Sequence, residues 1–489
     1  MPVEPAPWHF PDRGIAVRLF FTCWLVYSLH FATNIVREIY PAITLADHCS
    51  FRVDEYAGLH PDLFELPGFG WHINNNPGAS MFAAVPYFLN KWWIDSAVGY
   101  VKERRGSGPP PVYDSPWPMA REFYAESWKR GLDIKLGLAA LVMQVFFMAP
   151  LSAFGVALMF FALRKIFLSN SIAFWLAALY AFGTPVFFRT GTLNQNLILA
   201  HVSFAGFIAL WNVNEAGTLP KRFFLAGMAA GSAVLLDYSG VIILGALIIY
   251  GGMKHQENHG KHLLRYAAGA LIPLSILWFY QWKSFGQPFL PAQSYMPVIN
   301  QWVETGFHGY AGPQLDLLWS LLFDYRYGLF LACPILLLSI VALRIRKFHL
   351  PKLEVSFLLI CSVLIWIFFS GSNYTRLQFN TGIRYLVAIV PFLFIPAAIT
   401  LMCLPRKIIL LVSVLSVTQA WCLAMFRDVE RGLGILEPVV RVFTGGFQLP
   451  ALTTLSRMEP FKYYFAGGIS PLPLFALAAA LIFILWKRN

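Results

Sequence analysis

Residues 34–76 contain the densest group of side chains in this chain that could carry out acid–base chemistry. Glu38, Asp54 and Glu55 lie in this segment, which directly follows an apolar run at residues 15–33. A carboxylate at a water–membrane boundary can act as general base toward a hydroxyl or amine, or hold a divalent cation beside a phosphate leaving group. Because ionisable groups at membrane depth are costly, we expect function to retain Glu38. The alternative is that Glu38 pairs with a nearby arginine and the others form a solvated loop surface.

Polar residues at the end of the same segment have two interpretations. Asn74, Asn75 and Asn76 precede Pro77, and such a cluster can cap the start of a helix. It can equally contact a substrate. His72 is either an acid–base group or an ordinary interfacial histidine.

Cationic side chains in or near later apolar runs predict an anionic ligand. They are Lys283, Arg326, Arg376 and Arg384. Arginine suits bidentate phosphate capture, and lysine acts as a point charge. The alternative is a cation that extends to the membrane interface while its stem lies in lipid.

The elements that must position these residues are membrane helices. The sequence is 57% hydrophobic and only 13% charged, far from the composition of a soluble domain. We therefore expect an all-α, polytopic transmembrane bundle with about 12 spans. The apolar runs lie at 15–33, 136–163, 171–188, 193–213, 222–252, 265–282, 315–343, 355–371, 385–404, 407–425 and 470–486.

Two runs need separate treatment. Asp237 interrupts the run at 222–252, which predicts two short helices that meet at residues 236–240. Residues 77–93 are apolar but short for a span, and contain Pro86, so we favour a re-entrant or interfacial helix there. The alternative, a true second span, would put residues 102–105 in the cytoplasm.

The net charge of +12 reports topology rather than nucleic-acid binding. Lys and Arg cluster in every second loop, as in cytoplasmic loops of membrane proteins, and form no basic stripe interleaved with aromatic residues. The longer polar segments then share the non-cytoplasmic face. The six cysteines form no CxxC pair, so neither a zinc site nor a disulfide framework is predicted.

The absence of three known catalytic motifs from the sequence limits the choice of function. The sequence contains no GxxxxGK[ST], HExxH or GxSxG motif, so ATP-driven transport, zincin proteolysis and serine hydrolysis lack support. The first apolar run is longer than a signal-peptide core, and we interpret it as a retained anchor.

An ordered set of motifs accompanies the acidic loop. They are NNNPGASMFAAVPYFL at 74–89, FGTPVFFRTGTLNQNLILAH at 182–201, AGMAAGSAVLLDYSG at 226–240, SFGQPFLPAQSY at 284–295, FDYRYGLFLACP at 323–334 and GIRYL at 382–386. Together they resemble the GT-C glycosyltransferases, polytopic enzymes that use polyprenyl-phosphate sugars. The resemblance is nearest to bacterial relatives of protein O-mannosyltransferases and of the aminoarabinose transferases of lipid A, and covers roughly residues 15–400.

This resemblance implies a catalytic transmembrane domain at 1–404, which includes a large outer loop at 34–135 with juxtamembrane helices. Residues 405–489 would add transmembrane segments and an outer loop at 426–469. The implied reaction moves a sugar from a polyprenyl-phosphate donor to a protein, lipid or glycan acceptor outside the cytoplasm. The implied location is the bacterial inner membrane with the site facing the periplasm, and the partners are the lipid donor and membrane lipids, without nucleic acid.

The family commonly has an acidic pair after the first span, whereas this chain has Arg37 and Glu38. The resemblance therefore transfers the role of base to Glu38 alone, with Asp54 and Glu55 in reserve. No cofactor is firmly implied, and a divalent cation, Mg²⁺ or Mn²⁺, is left open at Glu38. The implied substrate-binding residues are Arg37, Tyr40, His72, Asn75, Asn76, Lys283, Arg326, Arg384 and Tyr385.

Two other classes of function compete with this interpretation. A transporter or lipid flippase would use the acidic residues as coupling sites, but such proteins often show paired broken helices, and only one broken run is visible. A surface-polysaccharide polymerase or ligase also uses prenyl-linked donors, but usually has its largest outer loop late in the chain.

Overall fold

A computed structural model describes residues 12–105, 109–211, 219–255, 258–297, 304–345, 350–378, 381–465 and 467–487. These residues form a largely helical chain, and the sheet they contain is one two-stranded hairpin. The predicted class of a helical polytopic protein is confirmed at this level. Residues 346–349 and Arg488, which belong to predicted cytoplasmic basic clusters, lie outside the described residues.

The N-terminal part forms one long helix and then a folded loop. The elements are α1 (Asp12–Leu29), α2 (Ile39–His48), the hairpin strands β1 (Leu63–Leu66) and β2 (Gly70–Ile73), α3 (Gly78–Arg104) and α4 (Pro118–Lys129). The hairpin is antiparallel, with Leu63 opposite Ile73.

The central part is a helical bundle. Its helices are α5 (Asp133–Met143), α6 (Ala149–Phe167), α7 (Asn170–Phe182), α8 (Pro185–Arg189), α9 (Gln195–Trp211), α10 (Leu219–Leu236), α11 (Gly240–Lys254) and α12 (His259–Phe285). A π-helical turn, Gln144–Met148, joins α5 to α6.

The C-terminal part continues the bundle. Its longer helices are Leu315–Phe323, Lys352–Ser370, Val390–Leu401, Arg406–Met425, Glu437–Gly445, Pro450–Ser456 and Leu472–Trp486. Shorter turns are Asp54–Tyr56, Ala292–Ser294, Leu329–Ala332, Asn373–Arg376, Leu386–Ile389, Gly434–Leu436 and Phe461–Tyr464, and the stretch Pro334–Arg344 is 3-10 helix.

Five helical stretches of the described residues are long and apolar enough to cross a membrane. They are Asp133–Phe167, Leu219–Leu236, His259–Phe285, Lys352–Ser370 and Arg406–Met425. Several shorter apolar helices accompany them, so the total of about 12 spans stays a prediction.

Three sequence-based boundaries were wrong. The segment at 77–93 is the first part of α3, a continuous helix of 27 residues, because the residues that follow Trp93 include no proline to end it. The run at 315–343 is divided into Leu315–Phe323, Leu329–Ala332 and Pro334–Arg344, and the second of the two breaks lies at Pro334, which cannot continue a helix. Helix α1 ends at Leu29, so Glu38 does not follow it directly but lies in a turn before α2.

The break in the run at 222–252 was predicted correctly. Helix α10 ends at Leu236 and α11 begins at Gly240. Small residues let α10 lie against α12: a Cβ on Gly227 would come 2.0 Å from the carbonyl oxygen of Tyr266. At its end α10 approaches the start of α3, where a Cβ on Gly78 would lie 2.8 Å from the carbonyl oxygen of Leu235. Close backbone packing of this kind fixes the ends of three helices relative to one another.

Candidate active site

Glu38 occupies the turn that leads into α2, and its residue is only 4% exposed. The side-chain oxygen Oε1 accepts a hydrogen bond from Asn75 Nδ2 at 2.6 Å, and lies 3.4 Å from Arg37 Nε. The backbone oxygen of Glu38 accepts a bond from Ser80 Oγ at 2.7 Å, which ties the turn to the first turn of α3. The second oxygen, Oε2, accepts no hydrogen bond from the described residues.

The three asparagines before α3 connect separate parts of the fold. Asn74 Nδ2 donates to Asp62 Oδ1 at 3.3 Å, Asn75 binds Glu38, and Asn76 Nδ2 donates to the carbonyl oxygen of Val234 at 2.8 Å. No side chain caps α3, whose N-cap residue is Pro77. The capping interpretation was therefore wrong: Asn76 donates to the end of α10 instead.

Two residues outside the predicted site extend this network. Asn75 Nδ2 also donates to Gln195 Oε1 at 2.7 Å, and Gln195 Nε2 donates to Asp237 Oδ2 at 3.0 Å. The other oxygen of Asp237, Oδ1, accepts a bond from the backbone N–H of Ser239 at 2.9 Å. The helix break at Asp237 was the signal that could have identified this carboxylate, whereas Gln195 carries no such signal.

Arg37 lies between two carboxylates. It contacts Glu38 and forms an ion pair with Asp62. Although burial by itself raises the pKa of Asp62, the charges of Arg37, His60 and Arg384 hold that pKa below its ordinary value. Burial lowers the pKa of His60 to about 4, so its imidazole is neutral at pH 7.

One predicted cation, Arg384, acts on this carboxylate network. Arg384 is part-buried, lies near enough to Asp62 to lower its pKa, and has its guanidinium 5.4 Å from the ring centroid of Tyr385. The turn that carries Arg384 requires glycine: Gly382 has φ +58°, and a Cβ there would lie 2.3 Å from the carbonyl oxygen of Arg326.

Two further arginines join Arg384, and the sequence analysis did not single them out. Arg189 ends α8, and its NH1 atom donates to Thr381 Oγ1 at 2.7 Å. The NH1 atom of Arg427 donates to the carbonyl oxygen of Phe188 at 2.7 Å. Arg427 thus contacts the residue before Arg189, and Arg189 contacts Thr381, which lies three residues before Arg384.

The two reserve carboxylates, Asp54 and Glu55, contact residues other than Glu38. Asp54 binds Arg52 and the backbone of Trp71, and Glu55 lies 4.0 Å from Lys135, so neither contacts Glu38. Both carboxylates are about half exposed.

The aromatic and histidine candidates are buried. Tyr40 packs against the ring of Tyr56 at 5.0 Å, directly after the Glu38 turn. His72 Nε2 donates to the Phe69 carbonyl oxygen at 3.1 Å, the ring packs against Phe285, and burial lowers the pKa of His72. These contacts place His72 in the hairpin core.

The remaining cations are separate from the network. Lys283 is exposed and lies over the ring of Trp282. Arg326 forms an ion pair with Asp324 at 3.5 Å, and Arg376 forms one with Asp316. Of the four predicted cations, only Arg384 influences the carboxylates beside Glu38.

A divalent cation at Glu38 stays a prediction. No group of three or more His, Cys, Asp or Glu side chains in the described part of the chain has metal-binding spacing. The carboxylates of Glu38 and Asp62 both contact Arg37, so a guanidinium supplies the positive charge beside Glu38.

Comparison with known proteins identifies a fold. No family model and no curated protein sequence matches the chain. Among solved structures, the chain is similar to the crystal structure of ArnT from Cupriavidus metallidurans bound to undecaprenyl phosphate, with a TM-score of 0.51 and 13% identity. The match covers 96% of this chain and 75% of the other. The chain therefore shares the fold of that structure, and this fold together with the long apolar helices supports an integral membrane protein.

Proposed function

We propose that this protein is a membrane glycosyltransferase that moves a sugar from a polyprenyl-phosphate-linked donor to an acceptor on the non-cytoplasmic side. The observation that carries the proposal is the placement of Glu38, a buried carboxylate whose Oε2 accepts no hydrogen bond from the described residues, in one network with Arg37, Asp62 and Arg384. The ArnT structure with the same fold contains undecaprenyl phosphate, which supports a polyprenyl-phosphate ligand here.

The proposed step is an inverting displacement at the anomeric carbon. The acceptor hydroxyl or amine attacks that carbon, its proton passes to Glu38 Oε2, and the bond from the anomeric carbon to the phosphate oxygen breaks. The electron pair of that bond stays on the phosphate, whose negative charge rises by one. Arg384 would stabilise this developing charge from a fixed position, which is the usual source of a large part of catalysis.

Asn75 and Arg37 orient the base in this proposal. Both contact Oε1 of Glu38, which leaves Oε2 to accept the proton. Because Arg37 also binds Asp62, the base sits in a fixed network rather than on a mobile loop.

The test is Glu38→Gln in proteoliposomes supplied with a labelled polyprenyl-phosphate sugar and a membrane extract as acceptor. Loss of a general base typically costs about 10²–10⁴-fold in rate, so we expect transfer to fall by that range. The matched control is Glu65→Gln, an exposed carboxylate in the same loop, which should transfer at the wild-type rate. Full activity of Glu38→Gln would remove this residue from the mechanism.

The same preparation separates the competing functions. Movement of lipid or solute across the proteoliposome membrane without covalent transfer would instead identify a transporter or flippase. Transfer of a long glycan rather than one sugar would identify a polymerase or ligase.

A further inference from the structure

A groove between α1 and the last helix, Leu472–Trp486, lies at the start of α1, whereas Glu38 follows the other end of that helix. The groove has a volume of about 410 Å³ and is lined by Arg13, Gly14, Val17, Arg18, Phe21 and Leu485. All but Leu485 belong to α1 and recur at the spacing of one helix face. Leu485 comes from the last turn of the other helix. Two arginines and several apolar groups therefore share one groove, far from the candidate active site.

Two hydrogen bonds fix the position of Arg18, a charge inside the first apolar run, where charges are costly. Its Nε donates to the carbonyl oxygen of Leu485 at 3.0 Å, which joins the two helices. Its Nη1 donates to the carbonyl oxygen of Gly14 at 3.3 Å, one turn nearer the start of α1. The guanidinium group is thereby directed toward the level of Arg13, and both cations reach the same groove.

The groove is cationic at its mouth. Arg13 is exposed and forms no ion pair with any residue that the structure describes. The carboxylate next to it in sequence, Asp12, pairs with Arg164 of α6 at 3.5 Å. The described side chains that line the groove include no acid. An anionic group in the groove would therefore meet two guanidinium groups.

The walls of the groove are apolar and continue along the membrane-facing surface. Val17 and Phe21 of α1 are both exposed. On the last helix, Leu481 is also exposed and lies one turn before Leu485 on the same face. In a membrane protein such side chains contact acyl chains. Cations at one end and an apolar channel beyond them match the two parts of a phospholipid.

The position of the groove indicates which leaflet supplies this lipid. Arg164, which pairs with Asp12 beside the groove, belongs to one of the basic clusters that predict the cytoplasmic side. Anionic phospholipids of the cytoplasmic leaflet attract arginine and lysine at that surface, and basic pockets between membrane helices bind their headgroups.

We propose that this groove binds one anionic phospholipid of the cytoplasmic leaflet. The headgroup phosphate lies between Arg13 and Arg18, and an acyl chain follows Val17 and Phe21. Planar guanidinium groups suit this role, because their N–H donors match phosphate oxygens in pairs. Since Arg18 also bonds to Leu485, the lipid contacts the junction of the first and last helices.

The test is native mass spectrometry of the full-length protein in neutral detergent with equal amounts of dioleoylphosphatidylglycerol and dioleoylphosphatidylcholine. The two lipids share acyl chains and a phosphate, but phosphatidylcholine also carries a positive charge. We expect the protein to retain one phosphatidylglycerol with a preference of about tenfold, because each arginine near the membrane surface adds to the attraction.

Glutamine variants locate the preference in the groove. Arg13→Gln should lower it to about twofold, and the double variant Arg13→Gln/Arg18→Gln should abolish it. The matched control is Arg406→Gln, which removes the same charge from an exposed arginine at the start of helix Arg406–Met425 and should keep the preference. If loss of the bond from Arg18 to Leu485 prevents folding, Arg13→Gln alone decides the question.

Three outcomes would overturn the proposal. The first is equal retention of the two lipids by the wild-type protein. The second is an unchanged preference in Arg13→Gln, or an equal loss in Arg406→Gln, which would indicate diffuse attraction by net charge. The third is displacement of phosphatidylglycerol by excess glycerol 3-phosphate, which would assign the groove to a small soluble phosphate.

The result does not depend on the proposed function. The lipid measurements involve the end of α1 opposite Glu38 and require no glycosyl transfer. Failure of the lipid preference would leave the Glu38→Gln test intact, and the reverse also holds.

Discussion

Glu38 shows how a single residue depends on neighbours that are distant in sequence. Its oxygen Oε1 is held by Asn75, which in turn binds Gln195, 120 residues further along the chain. Gln195 has a unique orientation here, because its oxygen accepts from Asn75 and its nitrogen donates to Asp237. We therefore regard Gln195 as a positioning residue for the base.

Replacement of Gln195 should reduce turnover more than stability. In Gln195→Leu, the amide of Asn75 loses one acceptor and Asp237 loses a donor. Asn75 can then move, and the carboxylate of Glu38 that it holds can move with it. We expect kcat to fall by about 10–100-fold, as small misplacements of catalytic groups do. The control is Gln419→Leu, another buried amide, which bonds to the Ile435 carbonyl. A wild-type kcat in Gln195→Leu would show that the network does not position Glu38.

The lowered pKa of Asp62 leads to a prediction about how stability depends on pH. Its folded-state pKa is lowered, so its ionised form stabilises the protein at pH values above the unfolded pKa of about 3.9. This stabilisation is lost as pH falls through the lower, folded-state pKa. Asp62→Asn should therefore reduce the free energy of unfolding by about 1–3 kcal/mol at pH 7, with the difference from wild type shrinking below pH 4. Thermal unfolding from pH 3 to pH 7 measures this, and a difference that grows toward low pH would contradict it.

At the scale of elements, helix α10 links membrane packing to the site. Its glycines lie against α12, and its C-terminal end supplies the Val234 carbonyl that binds Asn76 and leads into Asp237. Helix α3 approaches the same end of α10 through Gly78. The position of the asparagine cluster therefore depends on how closely these backbones approach.

A single methyl group tests this dependence. Gly227→Ala places a Cβ 2.0 Å from the Tyr266 carbonyl, and we expect overpacking to destabilise the protein by about 1–3 kcal/mol and to reduce transfer. Gly245→Ala in α11 meets no atom within 4 Å, so it should fold and transfer normally. Thermal unfolding and transfer rate measure both variants. If the two variants had the same unfolding temperature and transfer rate, close packing of α10 against α12 would not be needed for stability or transfer.

At the scale of the whole molecule, the two ends of the bundle differ in chemistry. Gln195 and Gly240 begin α9 and α11 at the site. The opposite ends of these helices carry Trp211 and Lys254, where Lys254 pairs with Glu354 at 2.5 Å and Lys165 lies over Trp211. The basic end is the one that the sequence predicts in the cytoplasm, and that orientation stays a prediction.

The sequence by itself determined the membrane class, the helical architecture, the break at Asp237 and the choice of Glu38 as first candidate. These follow from local properties: the length of apolar runs, a charge within such a run, and a carboxylate next to one. It did not determine the length of α3 or the hairpin at 63–73, whose pairing and burial depend on neighbouring elements.

Only the tertiary structure decided which charges meet. Arg189 bonds to Thr381 across 192 residues, and Arg427 reaches Phe188 across 239. In the sequence both arginines resemble ordinary cations at the ends of apolar runs, while Arg326 and Arg376 look equally suitable for phosphate. The difference is whether a carboxylate lies within reach in the folded bundle: Arg326 and Arg376 have one, whereas the described contacts of Arg189 and Arg427 include none.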